Sequence, residues 1–223
     1  MNEVGLNISR GQDSLLAANK VLKNTYLLLS MTLFVSAASA VVTMMLQVSQ
    51  GMGLVLFIGG FVSTFVVRST ARSGKGLFWV FVFAALMGGA IGPTIAMYVQ
   101  VYANGSAIVA QALGGTALIF LSLSGYVLVS GKNFSYMGGF LLTGLIVAVV
   151  AMIANIFLQI PALSLAISAA VVMIMSGFIL YDTSRIINGG EKNYIMATVS
   201  LYLSLFNIFI HLLHLLGALT GRE

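Results

Sequence analysis

The sequence predicts an all-α integral membrane protein with seven transmembrane helices. Three observations carry that reading. The chain of 223 residues is 60% hydrophobic and only 7% charged, with a mean hydropathy of +1.07, whereas soluble domains carry about a quarter charged residues. Its apolar residues fall into seven runs long enough to cross a hydrocarbon core, which takes ~20 helical residues. Its basic residues sit almost wholly in every second connection.

The runs are read in order as Thr25 to Leu46, Gly51 to Val67, Leu77 to Val99, Ala107 to Val129, Tyr136 to Leu158, Pro161 to Tyr181 and Tyr194 to Leu219. The second is short. The fifth and sixth are parted only by Gln159 and Ile160, so "LQIPAL" must make a tight turn. The third contains "MGGAIGPTIA", in which Gly88 and Gly92 form a small-xxx-small pair and Pro93 lacks a backbone donor. A kink or break is expected there, either packed closely against a neighbouring helix or lining a cavity.

The flanking segments divide the chain into a tail, 1–24, the bundle, 25–219, and a short stub, 220–223. The tail is too polar at its start for a cleaved signal peptide. From Ser14 it could form an interfacial helix, with Leu15, Leu16 and Leu22 toward lipid, while the residues before Ser14 are expected to be mobile. Arg10, Lys20, Lys23, Arg68, Arg72, Lys75, Lys132, Arg185 and Lys192 all fall on one side of the predicted topology, and of the ten basic residues only Arg222 falls on the other. Positively charged loops stay in the cytoplasm, so the N-terminus is expected inside and the C-terminus outside. This scattered arrangement also argues against a nucleic-acid partner, despite a formal charge of +5. The absence of cysteine excludes disulfides, thiolate metal sites and cysteine nucleophiles.

The polar residues inside the spans are the candidates for function. Asp182 is the only acidic residue between Asp13 and Glu191. At the C-terminal end of the sixth run it would face the negative end of the helix macrodipole, so it needs a partner. Arg185, three residues on, would make a local ion pair, whereas Arg68 at the end of the second run would latch two spans together. In the seventh run Ser200, Ser204, Asn207, His211 and His214 recur at spacings of four, three, four and three, which aligns them on one helical face. Such a stripe is costly against lipid and suits a helix at the centre of the bundle, where it serves interhelical hydrogen bonds or a hydrated pathway. His211 and His214 could hold a metal or sense pH, but no carboxylate or cysteine nearby in sequence completes a site, so no metal and no cofactor is expected.

Enzymatic readings fare poorly. An aspartyl protease needs two carboxylates sharing a proton, and Asp182 has no companion within the spans. "SLSG" at Ser122 to Gly125 lacks the first glycine of a membrane serine-protease elbow, and no phosphate-binding loop or dinucleotide fingerprint is present.

The segments "GGAIGPTIAMYV", "ALGGTALIF", "FILYDTSRIINGG" and "ATVSLYLSLFNIFIHLLHLLG", in this order and spacing, resemble the transmembrane Bax inhibitor-1 motif family over nearly all of the chain. "NKVLKNTY", "NIFLQIPALSLAISA" and "GGEKNYIMATVSLY" are similar to its bacterial YccA branch. The resemblance implies seven helices with the last surrounded by the other six. It implies for channel-like members a pH-sensitive calcium or cation leak, gated by two aspartates and an arginine. Asp182 matches the first aspartate and Arg68 the arginine, but the second aspartate falls on Ser204, so the paired-carboxylate sensor is missing. For the bacterial branch it implies an inner-membrane regulator, both substrate and modulator of the AAA protease FtsH with its HflK and HflC partners, and not an enzyme.

Overall fold

A computed structural model of the chain describes residues 2–220, with side chains from residue 18 onward. Within it the secondary structure is helical: α1 (Asn2–Met45), α2 (Gln50–Thr70), α3 (Lys75–Val101), α4 (Gly105–Ser130), α5 (Gly138–Leu158), α6 (Pro161–Ile187) and α7 (Tyr194–Thr220), with one 3-10 turn at Ser135–Met137. All seven are long and apolar enough to span a bilayer, that of α1 over Ala18–Met45. In hydrocarbon every backbone polar group must be satisfied within the chain, and continuous helices do this residue by residue.

The ends differ from expectation in two places. The helix runs unbroken from Asn2, so the segment from Ser14 is the first part of α1 rather than a separate interfacial helix. Helix α6 continues six residues beyond Tyr181, because Asp182, Thr183, Ser184 and Ile186 remain buried against neighbours. The expected stub lies outside the described residues from 221 onward.

Local chemistry explains the turns. Ser49 caps α2 by accepting the Met52 N–H at 3.3 Å. Gly131, at φ 63°, ends α4 in the left-handed conformation, with its N–H returned to the Val127 carbonyl. The tight "LQIPAL" turn forms as expected. Gln159 takes φ 52°, the Asn155 side chain accepts the Ile160 N–H at 3.1 Å, and Pro161 opens α6 where its missing N–H costs nothing.

The break expected at Gly88, Gly92 and Pro93 does not form; α3 is one helix from Lys75 to Val101. Proline frees the carbonyl four residues earlier, here that of Gly89, and Thr43 Oγ1 from α1 stands 3.0 Å from it. The two glycines serve the close-packing alternative. A Cβ on Gly88 would run into the Ser36 backbone, and one on Gly92 into Thr43 and the Ala40 carbonyl. Ser39 adds a hydrogen bond across the same seam, Oγ to the Ala85 carbonyl at 2.7 Å. On its other side α3 meets α2, where Gly60 admits Met87.

Helix α7 packs against α1, α2, α3, α4 and α6. The remaining helix, α5, is not among its backbone neighbours and stands on the outer side of α6. The core between them holds Phe83, Leu201, Tyr202, Ile208 and Leu213, all essentially inaccessible, whereas Phe34, Phe140 and Phe157 point outward from peripheral helices. That inverted distribution, apolar side chains outside as well as in, is what a lipid-facing surface requires.

Candidate functional site

Asp182 lies within α6, 7% exposed, and its carboxylate accepts the Ser200 hydroxyl of α7 at 2.5 Å. Neither arginine expected as its partner is in place. Arg185 folds over the Tyr181 ring at 5.4 Å, donates to the Gly190 carbonyl at 3.2 Å and makes an ion pair with Glu191 at 3.7 Å. Arg68 is exposed and forms no ion pair among the described residues. The reason is architectural, since α2 packs on α3 and α7 and does not approach α6. A hydroxyl thus holds the carboxylate, a charge-assisted bond of the stronger kind.

Around this contact the residues after Asp182 build a polar layer. Thr183 Oγ1 lies 3.3 Å from Ser124 Oγ of α4. Ser184 Oγ accepts the Phe134 N–H at 2.8 Å, which fixes the connection between α4 and α5, and Asn188 donates to the Ser184 carbonyl at 2.8 Å. Asn193 does the same for the start of α7: its Oδ1 accepts the N–H groups of Ile195 and Met196, while its amide donates to the Ala71 carbonyl at 2.9 Å. The connection bearing Lys192 is thus bound to the one bearing Arg72, and the one bearing Lys132 to the last turns of α6, at the same end of the bundle.

The polar residues of α7 are divided in use. Ser200 holds Asp182. Ser204, only 3% exposed, turns back to the Ser200 carbonyl at 3.2 Å, and Asn207 to the Leu203 carbonyl at 2.8 Å. Toward the far end the two histidines converge on one residue of α6: Ser168 Oγ lies 3.0 Å from His211 Nδ1 and 2.9 Å from His214 Nδ1. A hydroxyl has a single proton, so at least one imidazole must present Nδ1–H to it. Both rings line a cavity of about 310 Å³ between α5, α6 and α7, together with Asn155 and Ser164. Among the described residues no three His, Cys, Asp or Glu side chains gather as a metal set.

Ser168, Thr183, Ser184 and Asn193 were not singled out by the sequence. Asn193 carried a usable signal, an asparagine just before an apolar helix. A lone serine such as Ser168 inside an apolar run carries none.

These features define a multi-pass membrane helix bundle whose conspicuous polar groups are spent on fastening helices together. The chain belongs to the family described as "Inhibitor of apoptosis-promoting Bax1", whose family model matches residues 18–221. It is 47% identical over 209 residues to an uncharacterized membrane protein of Vibrio cholerae, covering 93% of each chain. It is 46% identical over 209 residues to the protein named "Modulator of FtsH protease YccA" of Escherichia coli K12, covering 94% of each. A second Escherichia coli strain carries a relative of the same identity named "Inner membrane protein YccA".

Proposed function

We propose that this chain is an inner-membrane regulator that modulates the membrane-anchored AAA protease FtsH and is itself a substrate of it, in company with HflK and HflC, with no enzymatic activity of its own. The observation carrying this reading is 46% identity over 94% of both chains to a relative named for that modulation. A similarity spread over the whole bundle, rather than confined to one helix, is what a shared interaction surface needs. In this reading segment 1–24 is cytoplasmic and is the handle from which the protease draws the chain, the stub at 220–223 is periplasmic, and the bundle is the part that lingers on the protease.

The Asp182 layer supplies the persistence. It ties α6 and α7, with the connections beside them, into one unit at the end from which extraction begins. The cation-leak reading has less behind it, because Asp182 meets Ser200 and the position of the second aspartate is Ser204.

The test is affinity capture from native membranes, with a chase of protein lifetime in cells with and without active FtsH. Recovery of FtsH, HflK and HflC is expected. Deletion of Asn2 to Gln12 should slow degradation while binding persists. Equal FtsH-dependent decay of truncated and full-length chains would remove the handle from the proposal. Calcium flux into liposomes holding the purified protein alone would favour the leak instead.

A further inference from the structure

A second, larger cavity of about 710 Å³ lies between α1, α3, α4 and α7, well away from the Asp182 layer. Its outer wall is missing. The backbones of α1 and α4 do not approach one another, and the residues along the gap are open to the bilayer, Leu113 at 55% and Leu121 at 65% exposure. At one end the Tyr26 and Phe120 rings of the two helices meet edge to face at 5.7 Å. The result is a slot, closed at the Asp182 end and open along its side.

We propose that this slot between α1 and α4 holds an acyl chain of a bilayer phospholipid. Its lining runs from Leu33 to Met44 on α1 and from Ser106 to Leu121 on α4, a length of about 20 Å at 1.5 Å per residue. Spread over that length, a volume of about 710 Å³ leaves a mean cross-section of about 35 Å². A transmembrane helix of ~10 Å diameter needs about 80 Å², so a partner's helix or a second copy of the chain would lie across the open side and does not fit within the slot. A hydrocarbon chain, whose width is set by carbon contacts of ~4 Å, does.

The chemistry of the walls agrees. Ser36 and Tyr202 on the floor bond to each other at 2.6 Å, and Thr116 bonds to the Ala112 carbonyl at 2.7 Å, so the hydroxyls lining the slot's depth are already engaged. A polar ligand would find little to bind. The open end lies near the turn between α3 and α4, whose residues from Val99 to Ser106 carry no charge. The site therefore reads the chain of the lipid and not the charge of its headgroup.

The experiment uses the full chain in nanodiscs containing phosphatidylethanolamine or phosphatidylglycerol with a diazirine at mid-chain. Photolabelling is mapped by peptide mass spectrometry. Label should concentrate on the slot faces of α1, α4 and α7, to the same extent with both headgroups. It should be lost from those faces in Ala37→Phe and in Ala117→Phe, which fill the slot from opposite walls. It should persist in Ala38→Phe and Leu118→Phe, on the same helices but outside the lining. Label spread evenly over all lipid-facing helices would overturn the proposal, as would label indifferent to the filling substitutions. Exclusion of lipid together with a chain-to-chain crosslink at the slot would overturn it in favour of a second copy.

Discussion

At the scale of single residues, the fate of a polar group inside the bundle depends on the one atom it meets. Ser200 satisfies Asp182 at 2.5 Å. Its replacement by alanine leaves a buried carboxylate without that donor and should cost about 1–3 kcal/mol, read by thermal or denaturant unfolding in detergent. Adding Asp182→Asn to Ser200→Ala should cost less than the two single effects together, because the contact is shared. Tyr26 offers the opposite case: its hydroxyl is the one buried side-chain polar atom without a hydrogen-bond partner among the described residues. Tyr26→Phe should therefore leave stability unchanged or raise it by up to ~1 kcal/mol in the same assay, while keeping the ring contact with Phe120. The sequence marked Asp182 as unusual but not what it touches. Hydropathy reports depth in the bilayer and says nothing about which helices are neighbours, so Arg68 could look like a partner while lying on a helix that never reaches α6.

At the scale of elements, small residues decide how closely helices approach. Gly88→Ala should destabilise the bundle by about 1–3 kcal/mol, because the added methyl meets the backbone of α1 rather than a movable side chain. Gly114→Ala, where nothing lies within 4 Å of the added carbon, should be neutral or stabilising by up to ~1 kcal/mol, since glycine is the weaker helix former. Comparing unfolding of the two variants separates packing from propensity. The packing role of Gly88 and Gly92 was legible as a spacing. That Pro93 would leave α3 intact was not, because the rescue comes from Thr43, some fifty residues earlier in the chain, and a span read alone cannot show what a neighbouring helix supplies. Likewise α6 overran its expected end, because burial by other helices, not hydrophobicity alone, carried it past Tyr181.

At the scale of the whole molecule, seven spans were legible because the bilayer imposes length and composition on each one separately. Their arrangement was legible only in part: the polar stripe pointed to a helix with many neighbours, and α7 packs on five others, but nothing in the sequence set α5 apart on the outer side of α6. Orientation is open to direct measurement. With basic residues clustered at one end, a reporter active only in the cytoplasm should work when fused to the N-terminus and fail at Glu223. Equal activity at both ends would contradict the assignment of sides.

The seam between α1 and α3 has a mechanical meaning as well. An unfolding motor that grips the N-terminus must first shear α1 from a partner it meets at backbone distance, with Thr43 and Ser39 bonded across the joint. A motor pulling from the opposite terminus would begin elsewhere. In single-molecule pulling from a bilayer, the first rupture from the N-terminal end should need more force than the same pull in Gly88→Ala, where the joint is sprung open. A chain that resists at its first step occupies the machine longest before anything is digested.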